Sequence, residues 1–263
     1  MTSSAAQGLV VLKIGGSLME DESVLEELCS ALAGLRAQGL RLALVHGGGK
    51  DINRHLTWLQ EEPVFKDGLR VTSPGALKLV EMTLSGYVNK KLVGMLNAHD
   101  GRAAGISGVD GPTLLCERIS EELGQVGRIV EVRTDLPDAL LKAGFLPVIS
   151  PISTDAKQNH YNVNADDAAS ALAVALRATK LVFLSDVDGV FGKDKERIPE
   201  LDDEGIETLI RDGVATGGMI PKLQSCRAAV ARGIAQVHIC GWSGFDRFKE
   251  QLRGESNSGT IIR

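Results

Sequence analysis

Residues 162–191 read NVNADDAASALAVALRATKLVFLSDVDGVF: a polar turn, a small-residue helix, a buried strand and an acidic loop. Ala168, Ala169, Ala171, Leu172, Ala175 and Leu176 give residues 166–177 one apolar face at helical spacing. Alanine lets such a helix lie close against a sheet. Residues 181–184 form a short apolar run that suits a strand covered on both faces. Asp166 and Asp167 open the helix, where the dipole favours negative charge, and Asp186 and Asp188 follow the strand. By itself this pattern is a capped helix and a surface turn. It becomes a functional candidate because glycine loops and single lysines elsewhere in the chain converge on it.

The preceding chain repeats strand, glycine loop, helix. The strand Leu9–Ile14 runs into Gly15-Gly16-Ser17, and Val24, Leu25, Leu28, Leu32 and Leu35 then recur at helical spacing until Gly39. Residues 40–45 form a second strand, followed at once by His46-Gly47-Gly48-Gly49 and a helix over 51–59. This alternation predicts a parallel α/β sheet with ligands off the carboxyl ends of its strands. Residues 65–72 read as a loop carrying Arg70. Residues 74–99 are the longest helix, striped by Leu77, Val80, Leu84, Val88, Leu92 and Met95. Short strands are expected at 103–107, 114–118 and 128–133, with a hairpin among them, then a helix at 136–143 and a buried strand at 145–151. Further on come helices at 206–211 and 219–232 around the loop 214–218, a strand at 236–240, a helix at 245–252 and a last strand at 260–262. A boundary near 174–180 divides the chain into lobes 1–177 and 178–263.

Composition narrows the partners. The chain has 263 residues, is 43% hydrophobic and 24% charged, and carries a net charge of −5, ample for a large core. Only 4% of residues are aromatic and no basic run occurs, which argues against a nucleic-acid groove. No apolar run approaches a membrane span. Cys29, Cys116, Cys226 and Cys240 are scattered without a CxxC pair, the usage of buried thiols in a reducing cytoplasm.

Several residues are candidates for chemistry. Gly48 and Gly49 offer backbone N–H groups at a helix start, a ready anion site or simply a tight turn. Gly15 and Gly16 carry the same ambiguity, and neither loop has dinucleotide or P-loop spacing. Lys13, in an apolar strand, is either a snorkelling edge residue or a ligand for anionic oxygens. Lys222 projects from a helix amino end opened by Pro221. Arg70 suits bidentate capture of a carboxylate. Asn162 and Asn164, two apart on an extended segment, face the same way and can address one ligand or cap the next helix.

Taken together, KIGGS, VHGGGK, GLRVT, EMTLSGYVNKKLV, GISGVDG, NVNADDAA, LSDVDGVF, TGGMIPK and GTIIR resemble the amino acid kinase family, in that family's order and over nearly the whole chain. The resemblance is strongest to its members that phosphorylate N-acetyl-L-glutamate. It implies a three-layer αβα sandwich with a mainly parallel open sheet, as in carbamate kinases, in two lobes. By the same resemblance Lys13 and Lys222 stabilise the phosphoryl group in flight and Asp166 holds them. Gly48, Gly49, Arg70, Asn162 and Asn164 bind the acyl amino acid. Gly15, Gly16, Ser185, Asp186, Val187, Asp188, Gly189, Val190, Phe191, Val214, Ala215 and Thr216 line ATP, with Gly217 standing where an acidic residue is frequent. Mg²⁺ is held mainly by ATP and water, so no protein ligand is named. A homodimer through the helix 74–99 and no nucleic-acid or membrane partner are also implied.

The implied reaction is ATP-dependent phosphorylation of the γ-carboxylate in arginine biosynthesis. That carboxylate is ionised at neutral pH, so the chemistry needs no general base, and the five histidines form no obvious pair. What it needs is cations around the transferring group. The alternatives are a kinase for a carrier-protein-linked aminoadipate or glutamate and a catalytically silent sensor of the same fold. In arginine-inhibited members an added amino-terminal helix joins dimers into a hexamer. Residues 1–8 are too short and too poor in helix formers for that, so an arginine-insensitive dimer is expected.

Overall fold

The computed structural model describes residues 8–253 and 258–263. The expectation drawn from the segment before Leu9 concerns residues outside that range, Gly8 apart.

One eight-stranded sheet runs in the order Glu200–Leu201, Thr260–Ile262, Gln236–Gly241, Lys180–Ser185, Leu9–Ile14, Arg41–His46, Leu146–Ser150, Ala103–Ser107. Every neighbouring pair is parallel except Gln236–Gly241 with Thr260–Ile262. Leu9–Ile14 lies inside the sheet, between the next strand of the chain and one that arrives after the helix Ala165–Ala175. That is a topological switch point, and a crevice opens off the carboxyl ends of such strands. Lys13, the loop after His46, and Ser185 all stand at those ends.

Alternation along Leu9–Ile14 decides where Lys13 points. Leu9 and Val11 belong to one core cluster, whereas Val10, Leu12 and Ile14 belong to another. With a period of two, Lys13 shares the Leu9 and Val11 face, which the helices Ala165–Ala175 and Met219–Ala231 cover. The opposite face is covered by Glu22–Ala37, Asn89–Ala98 and Phe245–Arg253. The result is the expected three-layer αβα sandwich. Ala168, Ala169, Leu172 and Ala173 are all fully buried, so the alanine face does bring its helix against the sheet.

A smaller four-stranded closed sheet joins Leu114–Arg118, Val126–Val132, Ile152–Thr154 and His160–Val163. Its antiparallel pair Leu114–Arg118 and Val126–Val132 is the expected hairpin, bent by a bulge at Leu115/Cys116. Closure of this sheet was not legible in the sequence.

Three local expectations need correction. Arg70 does not sit in a loop: Phe65–Lys66 and Leu69–Arg70 pair as a small antiparallel hairpin, turned by Asp67 and Gly68, both at positive φ. The run 145–151 breaks after Ser150, and Ile152–Thr154 joins the other sheet. The helix over 74–99 is three pieces: Pro74–Glu81, a π-helical stretch Met82–Val88, and Asn89–Ala98. Val80, Leu84, Val88 and Leu92, each four apart, are all buried. Four residues overshoot an α turn of about 3.6 and fall short of the wider π turn. Mixing the two keeps these four side chains on one face.

Candidate active site

Asp166 stands in the first turn of Ala165–Ala175, which Asn164 caps by accepting from the Asp166 and Asp167 N–H groups. Its Oδ1 lies 2.9 Å from Lys13 Nζ and its Oδ2 accepts from Lys222 Nζ at 2.9 Å. Each lysine therefore faces one oxygen of the same carboxylate. The side chains are only 12%, 11% and 9% exposed for Lys13, Asp166 and Lys222, so these charges are little screened. Burial pushes the Lys13 ammonium down from its ordinary value, against Asp166, which raises it. Burial alone would push Asp166 up, but Lys13 and Lys222 hold its carboxyl below the usual range. Lys222 also lies 5.3 Å over the Phe183 ring. Gly15 makes room for the arrangement, because a Cβ there would collide with Lys13 Nζ.

Beside the triad a 170 Å³ cavity is lined by Gly47, Gly48, Gly49, Arg70, Asn162 and Asn164. Gly48 and Gly49 begin the helix Gly49–Leu56, whose first N–H groups have no partner within the helix. Leu84 Cδ2 lies 2.7 Å from where a Gly48 Cβ would be, so a side chain there would displace Leu84. Arg70 Nη2 donates to Gly49 O (3.1 Å) and Asn53 Oδ1 (2.6 Å), and its guanidinium lies 4.7 Å over the Phe65 ring. Its Nη1 is buried with no acceptor, a donor that could serve an anion. Asn162 Nδ2 donates to Thr72 Oγ1 at 3.2 Å. Asn164 reaches the same cavity, but its carboxamide oxygen is committed to the helix cap, so the two asparagines are not equivalent.

Of the expected nucleotide residues, Gly15, Gly16 and 185–191 lie at the carboxyl ends of two neighbouring sheet strands. Ser185 ends Lys180–Ser185 and donates to Asp186 Oδ1 at 3.0 Å, and Val190–Phe191 pairs with Arg197–Ile198. Gly16 opens a short 3₁₀ turn after the first strand. Val214, Ala215 and Thr216 precede the helix that carries Lys222. No hydrogen bond links 185–191 to 214–216 among those described. Thr260 holds the first stretch, accepting from Val190 N–H at 2.8 Å and donating to Ile198 O.

Sequence reasoning missed Asn53, Thr72, Thr260 and the Asp167–Ser225 contact. Asn53 had a signal: it stands four residues beyond Gly49, on the same helix face. Thr72 lay within GLRVT, but its contact with Asn162, like that of Ser225 with Asp167, joins residues far apart in the chain.

The amino acid kinase family model matches residues 8–241. The acetylglutamate kinase of Brevibacillus brevis is 44% identical over 239 residues, 89% of this chain and 89% of the relative. That of Bacillus licheniformis is 43% identical over 246 residues, 93% of this chain and 94% of the relative. Among solved structures, Giardia carbamate kinase superposes with a TM-score of 0.72 at 18% identity, over 98% of this chain and 99% of that one.

Proposed function

The chain belongs to the amino acid kinase family, and we propose that it uses ATP to phosphorylate the γ-carboxylate of N-acetyl-L-glutamate, a step of arginine biosynthesis. The observation that carries the substrate assignment is the cavity beside the lysines. Its one charged lining residue is Arg70, with Nη1 unpartnered, and no carboxylate lines it. An acylated amino acid is a pure anion and suits that lining. Free glutamate would bury its ammonium without a counter-charge, a cost of at least about 3 kcal/mol, or roughly 10²-fold in affinity.

On this reading Arg70 takes the α-carboxylate, Asn162 and Asn164 orient the acyl amino acid, and the Gly48 and Gly49 N–H groups face its reacting end. The γ-carboxylate is already ionised and attacks without a base. What opposes reaction is the approach of two anions. Lys13 and Lys222 offset that repulsion as charge spreads over the equatorial oxygens. Asp166 keeps both ammoniums in place and stays ionised, because the lysines hold its pKa down. ATP lies along Gly15, Gly16, residues 185–191 and 214–216. A catalytically silent sensor would have no need of so dry and fully assembled a lysine–carboxylate–lysine group.

Mg²⁺ bound with ATP would add positive charge to the phosphates. Such an ion would keep water and phosphate oxygens as its main ligands. The active species is a homodimer through the helices of residues 74–98, where Met82 and Tyr87 are 62% and 50% exposed and offer apolar surface for a two-fold contact. No described helix is long and apolar enough to cross a membrane, and Cys29, Cys116, Cys226 and Cys240 are free thiols, as a cytoplasmic enzyme has. Lobe 1–177 holds the acyl amino acid and lobe 178–263 most of the ATP, which Gly15 and Gly16 reach from the first lobe, and one sheet runs through both. A coupled ADP-release assay over free and acylated amino acids tests the reading. Turnover with N-acetylglutamate is expected, and turnover with glutamate or aspartate alone would overturn it.

A further inference from the structure

His46 ends its strand directly before the glycine loop and is fully buried. Its Nδ1 lies 2.8 Å from Gly47 O and its Nε2 3.1 Å from Asn89 Nδ2. A carbonyl only accepts, so Nδ1 carries the proton and Nε2 accepts from the asparagine. The rest of the network agrees with that tautomer. Asn89 Nδ2 also donates to Val148 O at 2.9 Å, and Asn89 Oδ1 accepts from Lys90 Nζ at 2.9 Å. Burial pushes the imidazole down to about 4, so the ring is neutral near pH 7. The π-helical stretch that ends at Val88 delivers Asn89 to this position, while its Leu84 and Val88 fill the space beside Gly48.

The Gly47 N–H is taken by Ile14 O at 2.8 Å, which leaves the Gly47–Gly48 peptide as the next free plane. Described peptides are trans, so carbonyl and following N–H point in opposite directions. With the Gly47 carbonyl drawn toward the buried imidazole, the Gly48 N–H is turned to the cavity side.

We propose that His46 is a positioning residue for phosphoryl transfer: its Nδ1–H on the Gly47 carbonyl sets the peptide that aims the Gly48 N–H at the reacting oxygens. The proposal rests on the kinase reading above. It requires no proton transfer by His46, and it explains a buried histidine that the mechanism otherwise leaves idle.

Two substitutions separate positioning from general stability. In His46→Asn the carboxamide nitrogen falls where Nδ1 was and can still donate to Gly47. In His46→Gln the amide falls near Nε2 and cannot. Loss of a single aimed donor costs about 10²–10³-fold in kcat, and a misaimed one somewhat less. His46→Gln should therefore lose about 10–100-fold in kcat, with the KM for ATP within about twofold of wild type. His46→Asn should keep kcat within about threefold. Equal losses in both, or full kcat in His46→Gln, would overturn the proposal. Should His46→Gln not fold, a tenfold loss in folded His46→Asn is sufficient to overturn it. A readout without turnover is the ¹H–¹⁵N resonance of Gly48 during titration with inorganic phosphate. It should move in wild type and in His46→Asn but not in His46→Gln, and a resonance that stays still in wild type refutes the geometry. Wild-type protein that fails to phosphorylate N-acetylglutamate would sink the functional reading, while this resonance still decides the role of His46.

Discussion

Asp166→Asn keeps the shape of the side chain and removes one charge. That charge lies 2.9 Å from each of two ammoniums, and the three side chains are about nine-tenths buried. At an effective dielectric near 20, a unit pair about 4 Å apart is worth roughly 4 kcal/mol. Removing one member of a buried pair leaves its partner uncompensated, at about 3–5 kcal/mol. Here two partners are left, and they repel each other. We expect the free variant to lose about 3–5 kcal/mol, which in a chain of this size lowers Tm by roughly 6–20 °C. Mg-ATP brings phosphate oxygens to the same lysines, so it should raise the variant's Tm by more than it raises wild type's. Activity should fall about 10²-fold in kcat, because neither lysine is then held over the transferring group. Thermal melts with and without Mg-ATP, beside steady-state kinetics, measure all three effects. A variant that melts within about 2 °C of wild type and keeps kcat within tenfold would refute the reasoning.

Lys13→Ala and Lys222→Ala should act on kcat by about 10²–10³-fold; an effect of Lys222→Ala on KM alone would contradict its role. Arg70→Ala should instead raise the KM for N-acetylglutamate by roughly 10–100-fold, the scale of one charge-assisted hydrogen bond, and unchanged KM would remove the carboxylate clamp. Stability should also follow Asp166. Its folded pKa is depressed, so the contribution is complete above the unfolded value of 3.8 and is lost as pH falls through the lower folded value. Urea unfolding between about pH 5 and 2 should show that loss in wild type and little of it in Asp166→Asn. Light scattering at micromolar concentration should give a dimer, and Tyr87→Glu should shift it to monomer.

The layers of this fold were legible in the sequence because each rests on a local rule. Apolar strands followed by glycine and an amphipathic helix can bury both sheet faces in few ways, and the alanines of residues 168–175 stated how close one helix would come. The four-stranded closed sheet was not legible, because it pairs Val126–Val132 in parallel with His160–Val163, strands separated by a helix and two others. The π-helical stretch hid for a different reason: apolar spacing of four fits either turn, and only packing on Gly48 selects the wider one.

The sequence by itself determined which residue types were present for chemistry: two isolated lysines, an aspartate at a helix start, two glycine loops and one arginine near a glycine. Each of these left the bland reading open. Tertiary structure alone decided which of these residues meet, because the contacts join residues far apart in the chain. Asp166 meets Lys13 and Lys222 across different elements, and Arg70 finds Asn53 while its Nη1 is left unpartnered. Even Lys13, which the sequence leaves open between snorkelling and binding, is placed against Asp166 by which face of one strand carries Leu9 and Val11. A charge has no assigned role until its burial and its partners are known, and both belong to the packed molecule rather than to the order of its residues.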